Sequence, residues 1–542
     1  MSFKTFSSYD KVKLQTVGIH LIATHCTTRA LYCPAIRDKV GLLSIYSMAH
    51  KMFGKGSRVL LLQELLKDWP CTFTGEKLRI PITGITENSK DVKTGFIFVA
   101  RKGGEQDGAL YIEEAIRQGA AAIVVDRTTL FGIPIEMPVV VVPDCRLFLS
   151  YASARLSGNP SEGLTVIAVT GTNGKTTVSH FIGQLLERFG ERVAVIGTLG
   201  VFIDGLKVDY ALPQMTTLPA EYLHPLLKDC ANQGVTHIVL EASSLGLSGY
   251  RLEHCEIDIG VLLNIGADHY DEHGGRQPYL DAKKKLVMMA KQLIVNRDDQ
   301  DCMEMINGAT EKSMTFGADS KSDIRLKVEE DKMVVIMEDE IEKINRVFLE
   351  EFNRMNALAA ISVMQILSYK LKAILPHLAS LQLPEGRMQR IERNGVTVVI
   401  DYAHTPDALE VVLQSIGQVC KGKIITVFGC GGNRDKGKRG EMGEVAAFYS
   451  SSVLVTSDNP RSEDPEAIIA DIVKGFDEGC TAIQVEPNRE YAIRKAIVKA
   501  KAGDVVLIAG KGHEKTQHIG DEVLPFSDIA IVKQTLFEGI QN

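Results

Sequence analysis

From about Leu60 onward, short runs of apolar and β-branched residues alternate with longer stretches whose apolar residues recur at helical spacing. Such runs read as strands buried on both faces, and their alternation with helices reads as a mostly parallel sheet covered on both sides. In a first block, about residues 56–156, L-L-L-Q-E-L-L (Leu60 to Leu66) predicts a short helix, G-F-I-F-V-A a strand, Tyr111 to Gln118 a helix and A-A-A-I-V-V-D a strand. A second block, about 157–390, predicts a strand at L-T-V-I-A-V-T, a helix from Thr177 to Phe189, and strands at R-V-A-V-I-G-T, T-H-I-V-L-E-A, I-D-I-G-V-L-L-N and Q-L-I-V-N. A third block, about 391–542, repeats the alternation in V-T-V-V-I-D-Y, K-I-I-T-V-F-G, S-V-L-V-T-S-D, T-A-I-Q-V and D-V-V-L-I-A-G. We expect a small α/β domain followed by two doubly wound α/β domains, with ligands at the carboxyl ends of the strands. Residues 1 to about 55 lack sustained periodicity and read as a disordered extension; initiation near Met52 would look identical.

The polar groups that close the strands carry the chemistry. Leu164 to Thr177 runs from an apolar strand into T-G-T-N-G-K-T-T, a glycine-punctuated loop opening a helix. Such a loop aims backbone N–H groups at phosphate; Gly171 and Gly174 permit close approach, Lys175 reaches the outer phosphates, and Thr176 offers a hydroxyl to magnesium. It departs from the usual Walker spelling, whose first glycine would fall at Val169, and the bland alternative is an ordinary glycine turn. Glu241 and Asn264 end later strands, and His269 follows in N-I-G-A-D-H-Y-D-E-H-G. Thr176, Glu241 and His269 could together hold magnesium, although a surface carboxylate and a loop imidazole are common.

The third block places D-Y-A-H-T-P, G-C-G-G-N-R-D-K-G-K-R, S-D-N-P-R and A-G-K-G-H-E directly after strands. Arg434 and Arg461 could each grip a carboxylate, while Asp458 and Glu514 could hold an ammonium, which together describe an amino-acid site. In the first block T-E-N-S-K and R-K-G-G-E-Q-D-G are polar enough for a ligand rim, and equally for plain surface turns.

Composition narrows the classes. With 542 residues the chain exceeds one core, and 45% hydrophobic with 24% charged residues is ordinary globular composition. A formal charge of -7 gives no footprint for nucleic acid or anionic membrane. Ten cysteines without C-x-x-C spacing favour a reducing compartment, and no apolar run approaches the roughly 18 residues of a membrane span, so we expect a cytoplasmic protein. A nucleotide site facing an amino-acid site suggests carboxylate activation through an acyl phosphate.

At this point the chain resembles the Mur ligases, and within them the MurE type, the UDP-N-acetylmuramoyl-tripeptide synthetases that add the third peptide residue in peptidoglycan assembly. T-G-T-N-G-K-T-T (Thr170 to Thr177), E-A-S-S (Glu241 to Ser244), N-I-G-A-D-H-Y-D-E-H-G, V-N-R-D-D, F-N-R-M-N-A-L-A-A, G-R-M and D-Y-A-H-T-P-D follow in the family's order. The resemblance implies a three-domain architecture with a central P-loop-type ATPase domain and a C-terminal Rossmann-like domain. It implies ATP and Mg2+, with Thr172, Asn173 and Thr177 in the phosphate loop and Asn264, Asn353, Asn356, Arg387 and Asp401 around the nucleotide or the domain junction. Lys283 matches the lysine that the family carbamoylates to bridge a second magnesium. D-N-P-R (Asp458 to Arg461) is the spelling associated with meso-diaminopimelate, with Arg434, Asn459, Gly510 and Glu514 at the other positions for that ligand. Ser89, Thr216, Thr217, Ser243 and Arg251 fall on the side of the acceptor, UDP-MurNAc-L-Ala-D-Glu. The resemblance implies small-molecule substrates and a monomer.

Several positions depart from the family: Asn88-Ser89-Lys90 where D-S-R is usual, T-T-L-P for T-T-P, Leu245 for the histidine after S-S, and Glu350 or Glu351 for the glycine ahead of F-N. Most concern the acceptor. The alternatives are a paralogue using another carboxylate acceptor and a non-catalytic nucleotide-binding relative.

Overall fold

The computed structural model describes residues 59–74, 78–103, 106–126, 137–330, 332–338, 340–345, 347–348, 350–476 and 482–537. The extension expected over residues 1–55 lies outside them. The chain divides into two compact units, residues 1–145 with 155–158, and residues 146–154 with 159–542.

The first unit contains a five-stranded sheet in which Gly84–Thr86, Phe96–Val99, Ala122–Val125 and Val139–Val141 run parallel and Thr72–Thr74 is antiparallel at one edge. The helix expected from Leu60 begins at Leu62, because Leu60–Leu61 pairs as a short strand with Pro81–Ile82. The helix expected from Tyr111 is Ile112–Gln118, ended by Gly119 in the left-handed conformation.

The second unit holds two sheets. The eleven-stranded one is built around β1 (Thr165–Thr170), β2 (Val193–Gly197), β3 (His237–Glu241), β4 (Ile257–Leu262) and β5 (Ala290–Asn296), in the parallel order β2, β3, β1, β4, β5. Alternation decides which face each residue buries. Ile167 and Val169 pack with Val178, Phe181 and Ala357 on one side, while Val166 and Ala168 pack with Leu223, Leu227 and Leu286 on the other. The first side is covered by α1 (Lys175–Arg188) and α3 (Glu351–Ile366); α2 (Arg276–Met289) lies on the second.

The expected parallel sheet is extended at both edges by antiparallel strands. Gly200–Ile203 and Leu206–Val208 form a hairpin on β2, and Ile324–Glu329, Lys332–Met337 and Glu340–Asn345 form a meander beyond Ser313–Gly317. In the six-stranded sheet, β6 (Val396–Asp401), β7 (Ile424–Phe428), β8 (Ser452–Val455) and β9 (Val505–Ala509) run parallel in the order β6, β9, β7, β8, with Ala482–Val485 beyond β8. An unexpected strand, Gln389–Arg393, folds back on β6 through Asn394-Gly395, both at positive φ.

Candidate active site

The loop after β1 is braced by side chains from neighbouring elements. Gly174 caps α1 at φ +87°, and a β-carbon there would stand 2.6 Å from Asn356 Oδ1. Asn173 exchanges hydrogen bonds with the Asn264 side chain, its N–H donating at 2.8 Å and its carbonyl accepting at 3.1 Å. Thr172 Oγ1 accepts from the Gly266 N–H at 2.8 Å and pairs with Tyr279 Oη at 2.6 Å. Lys175 curls over the loop, its Nζ donating to the carbonyls of Gly171 (2.8 Å) and Thr172 (3.0 Å). Burial holds its pKa below the usual 10.5, opposed by Glu241 and Asp268.

Thr176 Oγ1 donates to Glu241 Oε2 at 3.0 Å, joining the first turn of α1 to the end of β3. Glu241 is 2% exposed and also accepts from the Thr198 N–H (2.9 Å) and hydroxyl (3.0 Å). Thr198 Oγ1 lies 3.1 Å from Thr216 Oγ1. A hydroxyl and a carboxylate in contact are hard oxygen donors, so this pair fits magnesium. His269 is differently engaged: its Nδ1 meets Glu272, its Nε2 lies 3.3 Å from Asp268, and no hydrogen bond joins it to Glu241 among the described residues. No cluster of three His, Cys, Asp or Glu side chains suited to a metal occurs among the described residues. Of the four expected metal-site residues, Thr176 and Glu241 are brought into contact.

Lys283 projects from α2 into the interior, 1% exposed, with Nζ 4.9 Å from the centre of the Tyr279 ring. Burial, reinforced by Lys175, pushes its pKa well below 10.5, which favours the neutral amine. Tyr279 therefore connects Lys283 to Thr172, a relation that spacing does not disclose.

At the junction of the two sheets, Arg387 Nη2 lies 3.4 Å from Thr176 Oγ1 with its guanidinium over the Tyr402 ring at 4.5 Å. Its Nε is buried and has no partner among the described residues, as expected where an anion completes the set. Asp401 accepts from the N–H groups of Met388 (2.7 Å) and Ala403 (2.8 Å), so it braces the chain there. Asn353 and Asn356 lie buried on α3, with Asn356 Nδ2 donating to Asn353 Oδ1 at 3.3 Å. His404 and His513, singled out by no spacing, flank Tyr402 and are held by burial at about 4, so both are neutral at neutral pH.

The loops after β7, β8 and β9 converge. Asn459 Nδ2 donates to Glu514 Oε2 at 2.8 Å, and Lys511 Nζ donates to both Glu514 Oε2 and Asn459 Oδ1 at 2.8 Å. Gly510 turns at φ +109°, and a β-carbon there would meet Asp458 Oδ2 at 2.6 Å. Asp458 is buried, 4.0 Å from Arg489, which pairs with buried Asp528 through two nitrogens at 2.9 and 2.8 Å. Arg461 Nη1 donates to the Gly432 carbonyl at 2.7 Å, and Arg434 Nη1 reaches Glu272 Oε1 at 2.5 Å. Sequence reasoning quoted G-K-G-H-E without singling out Lys511, and it missed Arg489 and Asp528, whose partners are remote in the chain.

Beside Glu241, Thr217 Oγ1 donates to the Glu241 carbonyl at 2.7 Å and stands 3.0 Å from Ser243 Oγ, while Arg251 Nη1 donates to the Thr217 carbonyl at 2.7 Å. In the first unit, Ser89 Oγ donates to Glu114 at 2.6 Å and the Lys90 N–H to Asn88 Oδ1 at 3.1 Å. There the two polar loops meet, Arg101 Nη2 donating to Glu87 at 2.9 Å.

Comparison with known proteins bears on this arrangement. Residues 81–150 match the Mur ligase family catalytic domain, 169–364 the Mur ligase middle domain and 386–512 the Mur ligase glutamate ligase domain. A UDP-N-acetylmuramoyl-L-alanyl-D-glutamate–2,6-diaminopimelate ligase of Caldanaerobacter subterraneus subsp. tengcongensis is 38% identical over 471 residues, 85% of this chain and 95% of its own. The chain belongs to the Mur ligase family. The corresponding ligase of Aquifex aeolicus is 37% identical over 84% of this chain and 94% of its own. A solved structure of a 2,6-diaminopimelate ligase of this kind is 33% identical, with TM-score 0.62 over 88% of this chain and 99% of its own. The MurF ligase of Thermotoga maritima, solved with ADP, shares the fold at 22% identity and TM-score 0.55, over 84% of this chain and 97% of its own. The loop carrying Lys175 and Thr176, together with Glu241, thus lies in a Mur ligase middle domain, and Asn459 with Arg461 in a Mur ligase C-terminal domain.

Proposed function

We propose that this Mur ligase uses ATP to join meso-diaminopimelate to UDP-MurNAc-L-Ala-D-Glu, supplying a peptidoglycan precursor. The contact between Thr176 and Glu241 beside the phosphate loop supports this reading: a hydroxyl and a carboxylate held together are oxygen donors of the kind that takes the magnesium accompanying a triphosphate. The sequence relatives named for that reaction give the substrates.

In the reaction a terminal carboxylate oxygen of the dipeptide attacks the γ-phosphorus of ATP, the bond to the β-phosphate oxygen breaks, and ADP leaves. An amino group of diaminopimelate then attacks the acyl phosphate; the tetrahedral intermediate loses phosphate and the nitrogen a proton, which forms the amide. Lys175 and the N-terminus of α1 offset charge on the transferred phosphoryl group, and Arg387 moves from Thr176 to the phosphates. Bound magnesium would supply further charge neutralisation at Thr176 and Glu241, with His269 as another ligand. Burial favours loss of the Lys283 proton, and the deprotonated amine would add to carbon dioxide, releasing a proton from nitrogen, to give a carbamate able to hold a second magnesium. Asn264, Asn353, Asn356 and Asp401 shape the nucleotide site. Arg434, Asp458, Asn459, Arg461, Gly510 and Glu514 form the amino-acid site, and Ser89, Thr216, Thr217, Ser243 and Arg251 serve the acceptor. No helix among the described residues is long and apolar enough to cross a membrane. We place the enzyme in the cytoplasm as a monomer, with an N-terminal substrate domain over about 56–156, an ATP domain over 157–390 and an amino-acid domain over 391–542.

The test is turnover of the full chain with ATP, magnesium, the UDP-dipeptide and a panel of amino acids. Phosphate release with diaminopimelate supports the reading. Release only with a different acceptor would favour the paralogue suggested by Asn88, Lys90 and Leu245, and nucleotide binding without turnover would favour a non-catalytic relative.

A further inference from the structure

Lys511 lies two residues past the end of β9, directly after the left-handed turn at Gly510, and its side chain is 0% exposed. Its ammonium is occupied by protein: Nζ donates to Asn459 Oδ1 and Glu514 Oε2, each at 2.8 Å, and lies 6.0 Å from the centre of the Phe526 ring. With no exposed face, it has no means of touching a substrate. What it controls is the presentation of two neighbours that the amino-acid site requires.

Asn459 illustrates the control. Its Oδ1 accepts from Lys511 Nζ and from the His518 N–H at 3.1 Å, two groups that can only donate. The amide orientation is thereby fixed, and Nδ2 is turned to Glu514 Oε2 at 2.8 Å. Both donors fall on the same carboxylate oxygen, and Glu514 Oε1 has no hydrogen-bond partner among the described residues. The carboxylate remains partly exposed, at 28%, whereas Lys511 beneath it is sealed.

We propose that Lys511 is a positioning residue for the incoming amino acid: by occupying one oxygen of Glu514 and the oxygen of Asn459, it presents Glu514 Oε1 to an ammonium group of that substrate. The inference rests on the amino-acid site described above and extends it to a residue that never meets the ligand. Burial raises the Glu514 pKa, but the Lys511 charge and the hydrogen bonds from Lys511 and Asn459 outweigh it, which keeps the carboxylate ionised for a cation. Lys511 thus acts through Glu514, and its loss and the loss of the Glu514 charge should not compound.

The experiment compares wild type, Lys511→Met, Glu514→Gln and the double variant in the full chain. KM is measured separately for diaminopimelate, ATP and the UDP-dipeptide. Lys511→Met should raise the diaminopimelate KM about 10-fold to 100-fold, the loss of a charge-assisted contact, while changing the other two by less than about 2-fold. In the Glu514→Gln background the same substitution should add less than about 2-fold, which a purely structural lysine would not obey. Should Lys511→Met alone fail to fold, the comparison of Glu514→Gln with the double variant decides, because removing both charges leaves the net charge of the cluster unchanged and buried Asp458 keeps Arg489 at 4.0 Å. Parallel rises in all three KM values, an unchanged diaminopimelate KM, or multiplied losses in the double variant would overturn the proposal. A wild type that turns over a different amino acid would refute the substrate assignment instead, and the same comparison is then made with that amino acid.

Discussion

Arg434 Nη1 donates to Glu272 Oε1 at 2.5 Å, joining residues 162 positions apart in the chain. The other oxygen of Glu272 engages His269 Nδ1, so one carboxylate ties the amino-acid side to the loop that follows β4. The hydrogen bond from His269, opposed by burial and reinforced by Arg434, holds Glu272 down at about 2. A substrate carboxylate seeking Arg434 has to displace Glu272 first. Glu272→Gln should therefore lower the diaminopimelate KM about 3-fold to 10-fold, since a neutral amide competes less well for the guanidinium. It should also shift the magnesium concentration for half-maximal rate, because His269 loses its carboxylate partner. Initial rates over both titrations check this, and an increased amino-acid KM would contradict it.

Gly197 ends β2 against the Glu241 side chain, and a β-carbon there would lie 2.1 Å from Glu241 Oε1 and 2.5 Å from its Cδ. Gly197→Ala must push the carboxylate off its contacts with Thr176 and Thr198. We expect kcat to fall about 100-fold or more, the scale of losing one preorganised electrostatic group. The stability cost should be only about 1–3 kcal/mol, as for local overpacking. Gly163→Ala, where a β-carbon meets nothing within 4 Å, is the control and should leave both unchanged. Thermal unfolding and kcat on the two variants separate the effects.

Lys283 makes stability depend on pH. Its folded pKa lies well below 10.5 because of burial and Lys175, so between those two values the unfolded chain binds a proton that the folded chain does not. Stability must rise with pH across that window. Lys283→Met removes the slope: the variant should unfold at higher temperature than wild type at the acid end and converge with it as the pH rises toward the unfolded value. Activity should be lost, and, on the carbamate proposed above, short carboxylic acids should restore part of it to Lys283→Ala. A pH-independent difference in unfolding temperature would show that the lysine is already neutralised by modification in the preparation.

The strands were legible because a sheet buried on both faces demands continuous apolar runs, and Glu241 and Asn264 stood out as polar residues ending them. The hairpin turns Asp204-Gly205 and Asn394-Gly395 also carried a signal, since both residues of each adopt positive φ. Of the strands they join, Val396–Asp401 was expected, while Gly200–Ile203, Leu206–Val208 and Gln389–Arg393 were overlooked because each is short. In the meander from Ile324 to Asn345 the first and last strands, I-R-L-K-V-E and E-I-E-K-I-N, intersperse charged residues and read as polar loop when buried runs are sought, whereas the central Met333 to Met337 is an apolar run that was passed over. Lys511, Arg489, Asp528 and Tyr279 were illegible for a different reason: each has a partner remote in the chain, Asn459 for Lys511, Thr172 for Tyr279, and Arg489 and Asp528 for one another. Arg434 was anticipated as a carboxylate grip, but its partner Glu272 depends on two sheets meeting.

Arg461 is the position at which the choice of amino acid is most exposed to test. Its backbone sits at φ +52°, held from both sides by its N–H on the His518 carbonyl at 3.0 Å and its carbonyl on the Gly520 N–H at 2.7 Å. One guanidinium nitrogen is anchored on the Gly432 carbonyl, and the other two have no partner among the described residues, so an edge of the fork remains for a carboxylate. Diaminopimelate carries a second carboxylate where lysine has only an ammonium. Arg461→Lys keeps the charge and the long stem but loses the bidentate edge, and should raise the diaminopimelate KM about 10-fold to 100-fold with the ATP KM changed by less than about 2-fold. Arg461→Ala should do the same more severely and narrow the preference for diaminopimelate over lysine; because arginine already places a β-carbon at this positive φ, the substitution adds no backbone strain. Steady-state kinetics with both amino acids give the ratio directly. Equal losses for ATP and diaminopimelate would mean that Arg461 supports the loop rather than reading the substrate.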